Sequence, residues 1–196
     1  MTIETAFTHF PLLTTGRLLL RQIETADAQA LFVFKSDPQV TSRYGQEPHQ
    51  SIDDTLGWIQ RLQADYERRA ALFWCLTLQG EHQMIGEITF WNFDAGFRCA
   101  EIGYELHPAY WQQGLMAEAL SAVLTYGFNQ LGLNRIEANP LAENEPSSRL
   151  LRKLGFTFEG RLRQRHFFRG RFEDQLYFGL LKQEWQQSPD RNAPSH

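Results

Sequence analysis

Hydrophobic positions recur at two periods along this chain, and the switches between them divide it into strands and helices. Arg17–Arg21 encloses three consecutive leucines and reads as a first strand, and Asp27 opens a short helix through Leu31 and Phe34. Ser51, with Asp54 three positions on, resembles a capping box. It opens a helix whose apolar positions Ile52, Leu56, Ile59, Leu62 and Tyr66 return every three or four residues. Strands at 72–78, 84–91 and 100–106, separated by the turn sequences Gln79-Gly-Glu81 and Asp94-Ala-Gly96, predict an antiparallel meander. After Gly114 the period lengthens again. Met116, Leu120, Val123, Leu124, Gly127, Phe128 and Leu131 form one apolar stripe of a helix that starts at Ala117 and ends near Gly132, a core face. A strand at 135–138, a helix over 146–154 stopped by Gly155, and a hairpin over 156–181 turning at Phe168-Arg-Gly-Arg171 complete an α+β arrangement.

At 196 residues and 42% hydrophobic, the chain is long enough for one full core, and it reads as a single domain over 15–185. Residues 1–14 form an N-terminal extension, and the polar, proline-bearing segment 186–196 reads as a disordered tail. No basic flank leads into an apolar run at the N-terminus and no stretch is long enough to span a membrane, which predicts a soluble cytoplasmic protein. Cys75 and Cys99 lie in or beside predicted strands and make no metal-ligand spacing with the histidines, so they read as buried reduced thiols and no metal is expected.

The net charge of −4 argues against bulk binding of nucleic acid. Arg161, Arg163, Arg165, Arg169 and Arg171, with Phe167 and Phe168 among them, are a local exception that would suit RNA or an acidic substrate. The alternative is a row of arginines on the wet face of the hairpin, their stems covering apolar surface. Exposed aromatics such as Trp91, Phe93, Phe97 and Phe167 would serve either a homodimer surface or a substrate groove.

The chemistry is concentrated between Leu106 and Phe156. Pro108 ends a strand, Gly114 allows close approach of the backbone to a ligand, and the first amides of the following helix have no partner within it. Such a helix start suits a phosphate or pyrophosphate, although an ordinary strand-to-helix turn has the same composition. Gly-x-Gly-x-x-Gly is missing and a meander precedes the loop, which argues against a dinucleotide-binding βαβ unit.

Taken in order, Arg17-Leu-Leu-Leu-Arg21, Ile85-Gly-Glu-Ile88, Ala100-Glu-Ile-Gly-Tyr104, Trp111-Gln-Gln-Gly114, Arg135-Ile-Glu-Ala138, Asn144 to Phe156, and Tyr177 through Leu181 to Glu184-Trp185 resemble the GNAT superfamily of N-acetyltransferases. The likeness is greatest to its RimJ/RimL-like branch, the ribosomal-protein N-terminal acetyltransferases, and covers Thr15 to Trp185. It implies a central mixed, mostly antiparallel sheet of about seven strands flanked by about four helices. It also implies acetyl-CoA as cosubstrate, with the pyrophosphate over Gln112, Gln113, Gly114, Leu115, Met116 and Ala117, Asn144 orienting the cofactor, and the backbone at Leu106 or His107 receiving the oxyanion. Trp111 and Met116 depart from the wider superfamily pattern in ways familiar within this branch.

The resemblance makes Ser147 the candidate proton donor to the leaving thiolate, since Leu151 stands where many relatives carry a tyrosine. Ser147 could equally bond backbone amides at its helix start. Glu101 is the candidate base, from a strand face it shares with Gly103 and Glu105, and Glu137 lies on the neighbouring strand. A structural ion pair with Arg21 is the alternative for Glu101. A parting of the strand ending at Leu106 from the one at Ile136 would free backbone groups for the pantetheine amides. An α-amine of pKa about 8 is roughly 3 kcal/mol easier to deprotonate at neutral pH than a lysine of about 10.4. With no histidine assigned to the site, a weak base favours a protein N-terminus, such as that of a ribosomal protein. A small amine (polyamine, amino acid or aminoglycoside) is the rival acceptor, and a non-catalytic CoA-binding or ribosome-binding module the rival class.

Overall fold

The computed structural model describes residues 3–187. One sheet runs through it in the order β1-β2-β3-β4-β5-β6-β8-β7. Its strands are β1 (Leu13–Thr14), β2 (Leu18–Gln22), β3 (Ala71–Leu78), β4 (Met84–Asp94), β5 (Cys99–Leu106), β6 (Arg135–Ala138), β7 (Thr157–Phe168) and β8 (Arg171–Leu181). Every neighbouring pair is antiparallel except β5 and β6. The sheet is therefore mixed and mostly antiparallel, as expected. It has eight strands because Leu13–Thr14, too short to show a period, pair with Leu19 and Leu20 at the edge.

Among the described residues, four helices have eight or more residues: α1 (Ala28–Lys35), α3 (Ile52–Glu67), α4 (Leu115–Asn129) and α5 (Glu145–Lys153); α2 (Pro38–Thr41) and α6 (Lys182–Gln187) are short. The expected tail thus begins with two residues of α6, and 188–196 lie outside the described residues. At the start of α3 the capping box is present in full: Ser51 Oγ accepts from Asp54 N–H at 3.2 Å and Asp54 Oδ2 accepts from Ser51 N–H at 2.9 Å. Such a cap contributes about 1 kcal/mol.

The meander alternates its side chains cleanly between two layers. Trp74, Ile88, Phe90 and Ile102 point to one face and pack against Leu120, Val123, Leu124 and Phe128 of α4. Phe73 and Cys75 point to the other, where Leu31 and Phe34 of α1 and Ile59 and Leu62 of α3 cover them. Glu87 and Glu105 lie opposite each other on that second face, beside Cys75. Cys75 is buried and Cys99 half-buried, both unbonded.

The hairpin turns through Arg169 (φ 48°) and Gly170 (φ 78°), the two left-handed residues of a tight β-turn. Three of the five arginines here are spent on carboxylates: Arg161 on Asp174 at 2.5 Å, Arg169 on Glu47 at 2.8 Å and Arg171 on Glu173 at 2.9 Å. The wet-face alternative describes them better than a nucleic-acid patch. Of the exposed-aromatic candidates, Trp91 lines the cleft described below and Phe93 packs on the core, while Phe97 and Phe167 are 81% and 61% exposed.

Candidate active site

β5 and β6 are joined only at Cys99↔Arg135, Ala100↔Ile136 and Glu101↔Glu137, and beyond that point they part. The parting opens a cleft of about 1030 Å³ that reaches both faces of the sheet. His107 N–H donates to Ile85 O at 2.8 Å. Antiparallel pairing alternates, so Leu106, opposite Gly86, turns its N–H and C=O away from β4 and toward the parting. Its carbonyl accepts from Trp111 Nε1 at 2.6 Å, and the guanidinium of Arg43 covers the Trp111 ring at 4.4 Å. Of the two backbone amides named as oxyanion donors, His107's is already committed and Leu106's faces the cleft.

The loop into α4 is bent by two left-handed residues, Gln112 (φ 60°) and Gly114 (φ 77°). Gly114 itself is the residue before the first helical turn, so α4 starts at Leu115, two residues before the expected Ala117. Gly114 has no side chain to cap the first amides, and these stay available to an anion at the positive end of the helix. Arg17 braces the loop, donating to Glu118 Oε2 at 2.7 Å and to Gln113 O at 3.0 Å. Gln112, Gly114, Leu115, Met116 and Ala117 line the cleft with Leu106 and Asn144. Gln113 folds its side-chain amide back onto Ala109 O at 2.9 Å, and His107 Nδ1 accepts from Ala109 N–H at 3.1 Å.

Glu101 and Ser147 line the same cleft. Asn144, not Ser147, caps α5: its Oδ1 accepts from Ser147 N–H at 3.3 Å and its Nδ2 donates to Arg43 O at 3.1 Å. Ser147 Oγ is 2.8 Å from Tyr104 Oη. Burial pushes the Tyr104 hydroxyl above the ordinary tyrosine range, so at neutral pH it keeps its proton and can donate to Ser147, leaving the serine's own hydrogen for a ligand. Glu101 accepts from Asn92 Nδ2 at 2.8 Å and Asn139 Nδ2 at 3.1 Å. Its expected alternative partner, Arg21, is instead held by Asp27, with Nη1 to Oδ2 at 2.8 Å and Nη2 to Oδ1 at 2.6 Å. Glu137 turns to Arg135 at 2.6 Å.

Three contributors escaped the sequence reading. Tyr104 was visible only as part of a motif, since its partner lies 43 residues away. His166 lines the cleft, correcting the expectation that no histidine belongs there; its Nε2 is 3.1 Å from Gly45 O, so Nε2 donates to that carbonyl. Lys35, from the last turn of α1, lies buried between Glu87 and Glu105.

A cleft at parted strands, a capless helix start and a hydroxyl pair together suit a phosphate-bearing thioester, and comparison with known proteins agrees. Residues 17–157 match the family model described as "Acetyltransferase (GNAT) domain". The chain belongs to the GNAT N-acetyltransferases. It is 40% identical over 173 residues to "Uncharacterized N-acetyltransferase YoaA" of Bacillus subtilis, with 88% of this chain and 98% of that protein covered. It is 29% identical to the "[Ribosomal protein uS5]-alanine N-acetyltransferase" of Escherichia coli, over 88% of this chain and 92% of the relative. The crystal structure of a GNAT-family acetyltransferase from Bacillus anthracis superposes with a TM-score of 0.79 at 28% identity, covering 88% of this chain and 99% of that one.

This GNAT enzyme therefore draws its acetyl group from acetyl-CoA, and the non-catalytic module is set aside. The capless, left-handed loop fits the pyrophosphate of that cosubstrate. Gly114→Val would place a β-branched residue in a left-handed conformation that costs about 1–2 kcal/mol or more, beside the Arg17 guanidinium that braces the loop. Calorimetric titration with CoA is expected to show at least about tenfold weaker binding in the variant.

Proposed function

We propose that this enzyme acetylates the α-amino group of a protein of the ribosomal-protein kind, by direct attack of the amine on acetyl-CoA in a ternary complex. The observation that carries the chemistry is the Tyr104–Ser147 hydroxyl pair, 2.8 Å apart, in the same cleft as the outward-turned Leu106 amide. The amides of Gln112 to Ala117 would receive the pyrophosphate, and the unpaired strand edges the pantetheine amides. Asn144, by capping α5 and holding Arg43 O, would fix that helix against the cofactor. His107 and Gln113 would support the loop from outside the cleft.

In the reaction the amine nitrogen attacks the thioester carbonyl and the developing oxyanion takes the Leu106 N–H. The C–S bond then breaks, and the thiolate takes the Ser147 proton while Tyr104 donates to Ser147 Oγ. Glu101, held open to the cleft by two asparagine amides, would accept the amine's proton directly or through water. The protein α-amine is supported by the uS5-alanine N-acetyltransferase relative, which is similar along nearly its full length. Action on such a substrate would place the enzyme in the cytoplasm.

A second reading, a small cationic amine, is favoured by four carboxylates lining the cleft, Asp65, Glu87, Glu101 and Glu105. Thiol release measured with N-terminal peptides and with spermidine, followed by mapping of the acetylated nitrogen, separates the two. Acetylation of the peptide α-amine is expected. Modification confined to lysine side chains or to spermidine would overturn the first reading.

A further inference from the structure

The face of the sheet covered by α1 and α3 carries a charged cluster that the acetyl-transfer steps do not use. Lys35 Nζ donates to Glu87 Oε1 at 2.9 Å and to Glu105 Oε2 at 2.6 Å. Tyr44 Oη donates to Glu105 Oε1 at 3.2 Å, and the Tyr44 and Trp58 rings stand 5.1 and 5.4 Å from Nζ. Three of the four carboxylate oxygens are thus engaged. The fourth, Glu87 Oε2, is buried without a partner among the described residues, on a side chain that is nine-tenths buried and lines the cleft.

The charges are equally incomplete. With both carboxyls ionised, two carboxylates share one ammonium, and that excess buried charge is costly unless a counter-charge arrives. An amine acceptor in neutral water is a cation, with three donors on its nitrogen. It matches the vacant acceptor in charge and in hydrogen bonding alike. A cluster serving only to stiffen β4 against β5 would have no use for an unsatisfied carboxylate oxygen on a side chain that lines the cleft, because an apolar replacement packs as well at less cost.

We propose that Glu87 Oε2 receives the protonated amino group of the acceptor, which makes Glu87 the residue that selects a cationic acceptor and Lys35 and Glu105 its positioning partners. This rests on the reading of the enzyme as an amine acetyltransferase and assigns the place where that amine docks. Glu87→Gln preserves the shape and, with its amide oxygen kept as the acceptor facing Lys35, puts an N–H donor where Oε2 stands.

The test is steady-state acetylation by the full chain at saturating acetyl-CoA, with a free-amine peptide and with spermidine, beside calorimetric binding of CoA. For Glu87→Gln the acceptor KM is expected to rise at least about tenfold, with kcat within about threefold and CoA affinity unchanged. Glu87→Asp, which keeps the charge and shortens the reach, is expected to fall between the two, and it also serves if the Gln variant does not fold. An unchanged acceptor KM, or a fall confined to kcat, overturns the docking role while amine acetylation stands. Absence of transfer from the wild type to every amine tested, with CoA bound normally, overturns the functional reading and the docking site with it.

Discussion

Lys35→Met is expected to destabilise the protein by about 3–5 kcal/mol, because removing the cation strands two buried carboxylates against each other. For a chain of this length that is a fall of about 6–20 °C in the unfolding midpoint. Burial disfavours the Lys35 ammonium, yet Glu87 and Glu105 hold it protonated above the usual lysine range. Burial likewise pushes the Glu105 carboxyl up, to about 7, against the opposing pull of Lys35. Without the lysine the Glu105 carboxyl is pushed further up and retains a proton that the unfolded chain has released. Stability of the variant then falls as pH rises above the ordinary carboxylate range. Its deficit relative to wild type is expected to be larger at pH 8 than at pH 5, as read by denaturant unfolding at each pH. A deficit that stays constant across that range would contradict the charge pairing.

Ser147→Ala is expected to lower kcat about 10²- to 10⁴-fold, the range of a lost general acid, while CoA affinity stays within about twofold. Asn144, which caps α5, is untouched by the substitution, so the helix start survives. Tyr104→Phe supplies the control: it leaves the serine hydroxyl in place and removes only its 2.8 Å partner, so a smaller fall in kcat is expected. Equal losses from both substitutions would point to tyrosine as the donor to the thiolate and serine as its support. A wild-type kcat in Ser147→Ala would remove Ser147 from the mechanism.

How far the sequence carried depended on the distance between the groups that meet. The start of α3 was legible because Ser51 and Asp54 bond within one turn, and the β7–β8 turn because Arg169-Gly170 is a local conformational demand. The stripe on α4 was legible for the same reason, since its partners all lie on one side of a regular helix. What escaped was joined across the fold. Lys35 meets Glu87 at a separation of 52 residues, and no periodicity in α1 marks a lysine that points inward. His166 reaches the cleft from β7, where a register shift between Leu162 and His166 breaks the alternation that would have fixed its side. Arg21 failed in the opposite direction. Its carboxylate partner, Asp27, is six residues away, inside a short helical turn whose capping box holds Asp27 in place. Of the cofactor loop, the sequence supplied the residues; that Gly114 immediately precedes the helix rather than lying three residues before its first turn follows from its left-handed backbone.

The seam between β5 and β6 has one more consequence. Three residue pairs are all that stitch β1–β5 to the β6–β8 unit across this sheet, and the rungs beyond Glu101 and Glu137 are missing. A cosubstrate whose amides lie along those open edges would supply the missing rungs, becoming in effect a guest strand of the ladder. Under the shared α4 core the sheet of the empty protein is interrupted at this seam and that of the loaded one would run on unbroken, so that the backbone order which aligns the acceptor would arrive with the acetyl donor.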